Sequence, residues 1–140
     1  MRQILLFALL AASLALLSGC ALSKTKEDKA KDMPDKAAYH KLSAEEAYEM
    51  MASQEVVVVD VRTREEYDGG HIENAVLVPN ENIGSEMPEA LPDKEATLLI
   101  YCRSGRRSKD AAEKLLSLGY QSVYDFGGVI DWPYELVKEG

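Results

Sequence analysis

The chain has 140 residues, the size of one ordinary domain. Lys plus Arg total 16 against 24 Asp plus Glu, a net charge of −8 at pH 7, and the balance is more acidic still without residues 1–19, whose only charge is Arg2. Such a chain lacks the basic stripe that nucleic acid binding needs, and anionic lipid repels it, so any hold on a membrane requires a dedicated device.

The N-terminus has the form of that device. Arg2 is followed by an apolar run from Ile4 to Leu17, interrupted only by Ser13, and then by Leu17-Ser18-Gly19-Cys20. A membrane-spanning helix needs about 20 apolar residues; this run is shorter and ends in small residues, which predicts a signal peptide over 1–19. The four residues ending at Cys20 resemble the lipobox of bacterial lipoproteins. The resemblance implies that Cys20 is lipidated on sulfur and becomes the first residue after cleavage, with several acyl chains holding where one would not. The alternative is an ordinary cleaved signal followed by a chance cysteine. Ala21 in place of Asp is compatible, by resemblance to lipoprotein sorting, with an outer membrane facing the periplasm where the organism has one. The expected location is therefore the cell envelope. A lipidated Cys20 has no thiol to share, so Cys102, the only other cysteine, is expected to be unpaired and exposed to oxidants unless it has a use.

From Leu22 to about Lys41 charges alternate and large apolar groups are few, which predicts a flexible tether over 20–41 ahead of a folded domain over 42–140. Pro34 disfavours the competing reading, an exposed helix. The folded part opens on Ser43-Ala44-Glu45-Glu46, a capping box that predicts a short helix to about Ala52. Val56 to Val61 is a continuous β-branched run broken only by Asp60, as in a strand buried on both faces. Thr63-Arg64-Glu65-Glu66 is a second capping box. Ala75 to Val78 and Thr97 to Tyr101 read as two further buried strands, and Ser122 to Tyr124 as a fourth. Between the last two, Ser108 to Leu118 carries Ala111, Ala112, Leu115, Leu116 and Leu118 on one broad face, with Gly119 placed to end the helix. The alternation predicts an α/β domain in which helices flank a mainly parallel central sheet.

Cys102 follows a predicted strand and precedes a predicted helix, which puts it at the carboxyl end of the sheet, where open α/β sheets hold their ligands. Arg103, Ser104, Gly105, Arg106 and Arg107 form a loop of small and cationic residues leading into a helix N-terminus. Inward N–H groups and the positive helix end favour an anion there and are expected to depress the thiol pKa. An inert buried cysteine would instead sit among apolar groups.

Asp60-Val61-Arg62, Glu65-Glu66-Tyr67, Gly70-His71-Ile72-Glu73-Asn74-Ala75, the Cys102 to Ser108 loop, and Gly127-Gly128-Val129 followed by Trp132 together resemble the rhodanese domain, in order and spacing, from about Leu42 to Leu136. The resemblance implies the three-layer rhodanese-like fold and a sulfurtransferase. That enzyme moves a sulfane sulfur from a small anionic donor such as thiosulfate to cyanide or a thiol, through a persulfide on Cys102, without a cofactor. It makes the loop from Arg103 to Arg107 the substrate cradle. Arg103 and Arg106 are expected at its mouth, with Arg107 turned inward or paired with a carboxylate. Asp60, Arg62, Glu66 and His71 are read as structural support: Asp60 binding backbone near the loop, Arg62 pairing with Glu66, and His71 in the turn leading into a strand. Trp132 is read as core or as the lid of a pocket. A monomer is expected.

Two rivals are weighed. Cell-cycle phosphatases and arsenate reductases share this fold, but their loops resemble Cys, five residues, then Arg. Here position 108 is Ser and Arg107 comes one residue sooner, a smaller ring suited to one added sulfur. A non-catalytic binding module is the other, and such modules usually lack the cysteine. With only His40 and His71 available, no metal-ligand spacing is present.

Overall fold

The strands form where β-branched and aromatic residues cluster, and their faces sort by a period of two. The computed structural model describes residues 38–138; the expected signal peptide, Cys20 and most of the expected tether lie outside the described residues. In chain order the described elements are β1 (Tyr39–Lys41), α1 (Ala44–Ser53), β2 (Val57–Asp60), α2 (Arg64–Asp68), β3 (Val76–Leu77), β4 (Thr97–Cys102), α3 (Arg106–Ser117) and β5 (Ser122–Gly128). Short 3-10 turns occupy Asn80–Asn82 and Val129–Asp131. The five strands form one sheet in the order β1-β5-β4-β2-β3, and every pairing is parallel.

Successive residues of β2 and β4 point to opposite faces. Val59, Leu98, Ile100 and Cys102 pack with Ala111, Ala112 and Leu115 of α3. Val58, Leu99 and Tyr101 pack on the other face with Ala47 of α1 and Tyr67 of α2. The domain therefore has three layers and two cores, as the unbroken apolar run in β2 requires.

Both capping boxes form. The Glu46 N–H donates to Ser43 Oγ and the Ser43 N–H to Glu46 Oε2, at 3.1 and 2.8 Å; Thr63 and Glu66 repeat the exchange at 3.3 and 3.1 Å. Two expectations change. Residues 39–41, read from sequence as the end of the tether, form edge strand β1 against β5. The segment 75–78, read as a buried strand, contributes only the half-buried pair Val76–Leu77 at the opposite edge.

From β2 the chain moves outward to β3, and from β4 it moves the other way to β5. The neighbours β2 and β4 thus flank a topological switch point, where an open α/β sheet leaves a crevice at its carboxyl ends. Asp60 and Cys102 are the residues at those two ends.

Candidate active site

Helix α3 begins without a side-chain cap, although its first N–H groups need acceptors. The sulfur of Cys102 supplies one. The Gly105 N–H donates to Cys102 Sγ at 3.0 Å, and Ser108 Oγ lies 3.7 Å from the same sulfur. Gly105 reaches this position only with φ of +96°, the left-handed region that glycine enters without strain. On the far side β5 is equally constrained: a Cβ on Gly128 would overlap the Arg103 carbonyl oxygen and lie 2.6 Å from Ser104 Cα. The sheet register slips between Ile100 and Cys102, so that Cys102 lies opposite Gly128.

Cys102 is 1% exposed, and burial, the largest single influence, raises its pKa. Bonds from the Ser108 N–H and hydroxyl, and from the Gly105 and Ser104 N–H groups, act against burial and together hold the thiol below its ordinary value. This is how a helix N-terminus favours an anion. The thiolate fraction rises without a neighbouring histidine, since His71 is occupied elsewhere.

The three loop arginines divide. Arg103 and Arg106 are exposed and join no ion pair among the described residues. Arg107 makes two bonds of 2.7 Å to the Glu66 carboxylate, which ties α3 to α2 beside the loop. Its hydrogen bonds to Glu66 raise the Arg107 pKa. Arg107 therefore pairs with a carboxylate, one of the two arrangements expected of it.

Arg62 does not pair with Glu66 as expected. It is buried and turns back onto Asp60, with Nε 3.0 Å from Oδ1 and the terminal nitrogen 2.6 Å from Oδ2, while Glu66 faces α3. The same terminal nitrogen also donates to the Gly70 carbonyl at 2.8 Å. Asp60 accepts the Arg62 backbone N–H at 2.9 Å rather than one from the cysteine loop. The Tyr101 hydroxyl completes this network, donating to Asp60 at 2.6 Å and accepting from the Ile72 N–H at 3.1 Å. His71 is buried and stacked on Tyr67 with ring centroids 3.6 Å apart; its Nδ1 is 3.0 Å from the Tyr67 carbonyl and its backbone bridges to Val137. Asp60, Arg62 and His71 thus shape the turn beside the site and do not reach the sulfur.

A shallow cleft of about 340 Å³ is bordered by Arg103 of the loop together with Arg62, Glu66, Val129 and Ile130. A larger groove of about 730 Å³ lies against α1, between Tyr48, Trp132 and Tyr134. It touches no residue of the cysteine loop. Trp132 forms one wall of it while packing against Phe126.

Sequence reading missed Tyr101 and Asp125 as contributors to the site, and gave Ser108, the last residue of the loop, no role of its own. Asp125 is fully buried, accepts the Gly127 N–H at 2.8 Å, and is met from β1 by Tyr39 and Lys41. A carboxylate inside an otherwise apolar strand was the available signal. Among the described residues no group of His, Cys, Asp and Glu is arranged to hold a metal ion.

A parallel α/β domain that buries a cysteine at a helix N-terminus, with a loop N–H group turned to its sulfur, is a cysteine-loop fold arranged to favour negative charge at that sulfur. The chain belongs to the rhodanese-like domain family, whose model matches residues 43–133, so the family resemblance read from sequence is borne out there. It is 32% identical over 106 residues to a tRNA uridine(34) hydroxylase of Yersinia pestis, covering 72% of this chain and 30% of that protein. The chain thus spans under a third of the curated relatives' length. Among solved structures it is similar to a rhodanese with anions from E. coli, at 34% identity and a TM-score of 0.55 over 61% of this chain and 100% of that one. It is also similar to a human single-domain sulfurtransferase, at 28% identity and a TM-score of 0.60 over 66% and 93%.

Proposed function

We propose that the protein is a sulfurtransferase that carries a sulfane sulfur on Cys102. The observation that carries this reading is the bond from the Gly105 N–H to Cys102 Sγ, in a loop whose N–H groups lower the thiol pKa against the effect of burial. The Cys102 thiolate attacks the outer sulfur of thiosulfate or a similar donor. A new S–S bond forms to Cys102, the S–S bond of the donor breaks, and sulfite leaves with that electron pair. Cyanide or a thiolate acceptor then attacks the outer sulfur of the persulfide, and Cys102 departs as thiolate. The same N–H groups stabilise the anion at both stages. Exposed Arg103 and Arg106 attract the anionic donor, while Ser104 and Gly105 line the cradle and Arg107 braces it through Glu66.

The membrane enters the same reading through Cys20. Lipidation there would anchor an acidic domain in the cell envelope. The hydroxylase activity named for the longer relatives is not carried over, since this chain spans 30% of that protein's length and a net charge of −8 disfavours a polyanionic partner.

The test is formation of thiocyanate from thiosulfate and cyanide by the purified protein. Turnover that is lost in Cys102→Ser with the fold intact supports the reading. Hydrolysis of an aryl phosphate with no sulfur transfer from any donor would favour a phosphatase, and absence of both would favour a binding module.

A further inference from the structure

We propose that Asp125, clamped by Tyr39 and Lys41 of the first strand, is a positioning residue that holds the Gly127 turn against Gly105 and so keeps the Gly105 N–H aimed at the Cys102 sulfur. The inference builds on the sulfurtransferase reading and names residues of that site beyond the loop itself.

The chain of contacts is continuous. Asp125 is fully buried, where an unpartnered carboxylate would be costly, yet all its bonds point toward the site or its supports. Tyr39 donates its hydroxyl to Oδ2 at 2.6 Å and Lys41 its ammonium at 3.1 Å. The other oxygen accepts the Gly127 N–H at 2.8 Å. That bond spans a turn in which Gly127 has φ of +91°, one of several conformations open to a glycine, so the bond selects among them. Gly127 in turn backs the cysteine loop: its carbonyl is 3.4 Å from Ser108 Oγ, and its Cα would be 3.6 Å from a Cβ built on Gly105. Lys41 Nζ closes the same gap, 3.7 Å from that Cβ position. Strand β1 therefore reaches the back of the sulfur cradle through one carboxylate and one turn.

Positioning and simple electrostatics predict opposite signs, which makes the proposal decidable. The charges around the loop are Arg103 and Arg106 in the loop and at the start of α3, Arg107 on α3 paired with Glu66 of α2, Lys41 on β1 and Asp125 on β5, with the Asp60–Arg62 pair beyond them at the end of β2. Were Asp125 only a nearby negative charge, its removal would make the thiol more acidic. As a positioning residue, its removal frees Gly127, weakens the Gly105 bond and makes the thiol less acidic.

The experiment measures the rate of Cys102 alkylation by iodoacetamide against pH in wild type, Asp125→Ala and Asp125→Asn, with folding checked by circular dichroism. Asp125→Ala is expected to raise the midpoint by about half a pH unit, about threefold less thiolate below the pKa. Asp125→Asn keeps an acceptor for Gly127 and is expected at or below the wild-type midpoint. An alanine variant at or below wild type, or two variants shifted upward alike, overturns the proposal. Should Asp125→Ala not fold, Tyr39→Phe is followed by amide NMR: joint changes at Gly127 and Gly105 support the coupling, and changes that stop at Gly127, or none, overturn it. Alkylation needs only a thiol, so a protein that transfers no sulfur still answers this question.

Discussion

The Glu66–Arg107 pair can be removed without disturbing the helix cap that Glu66 also makes, because glutamine serves at the third position of a capping box as glutamate does. Glu66→Gln therefore isolates the ion pair. The bonds from Arg107 are the largest influence on Glu66; burial opposes them, bonds from Thr63 reinforce them, and together they take its pKa from 4.5 to about 2. Fully expressed, a shift of that size corresponds to about 3 kcal/mol. The two side chains are 23% and 28% exposed, and solvent screening reduces the expected value to about 1–2 kcal/mol. The sign follows from a carboxyl whose folded pKa lies below its unfolded one: the stabilisation is complete above about pH 4.5 and is lost as pH falls toward 2. Urea unfolding of wild type and Glu66→Gln at a series of pH values from 7 to 3 is the assay. The gap between the two proteins should be about 1–2 kcal/mol near neutrality and shrink progressively below pH 4.5. A gap that stays constant down to pH 3, or one that widens on acidification, would refute the argument.

Other perturbations act closer to the sulfur or at the membrane. In Gly128→Ala the new methyl overlaps the Arg103 carbonyl and crowds Ser104; the loop must move, and sulfur transfer should fall about a hundredfold while the sheet stays folded, as checked by turnover and circular dichroism. Arg103→Ala and Arg106→Ala should each raise KM for thiosulfate about threefold to tenfold with little change in kcat, as for exposed charges that bind donor and transition state alike. Cys20→Ser should shift the protein from the membrane fraction to an unprocessed or soluble form when expressed in bacteria; acyl-free wild-type protein in the exported fluid would contradict the anchor.

Local signals in the sequence translated directly into structure. Ser43 with Glu46 and Thr63 with Glu66 each needed only their own helix turn, and both boxes formed. The run from Val56 to Val61 indicated a central strand because burial on both faces leaves no polar alternation to read. What depended on distant partners was less legible. Strand β1 has three residues and pairs with β5 near the other end of the chain; with alternating charges before it, nothing local separated it from a tether. Lys41 looked like one more tether charge until the register set it opposite Asp125. The partner of Arg62 was misjudged for a related reason. Glu66 was the expected partner, but Arg62 lies in the buried turn beyond β2 and satisfies itself on Asp60, leaving Glu66 for Arg107. The cysteine loop could be read because its glycine, its strand and its helix are contiguous. Asp125 stood out only as a carboxylate inside an apolar strand, and its partners are fixed only after the sheet has formed.

The account turns on whether Cys102 accepts sulfur, and the most direct measurement is the intact mass of the purified protein before and after incubation with thiosulfate, followed by cyanide. The wild type should gain the mass of one sulfur atom and lose it again to cyanide, while Cys102→Ser should gain nothing. A wild type that gains no mass from thiosulfate or any other sulfane donor, or a serine variant that gains as much, would contradict a persulfide on Cys102.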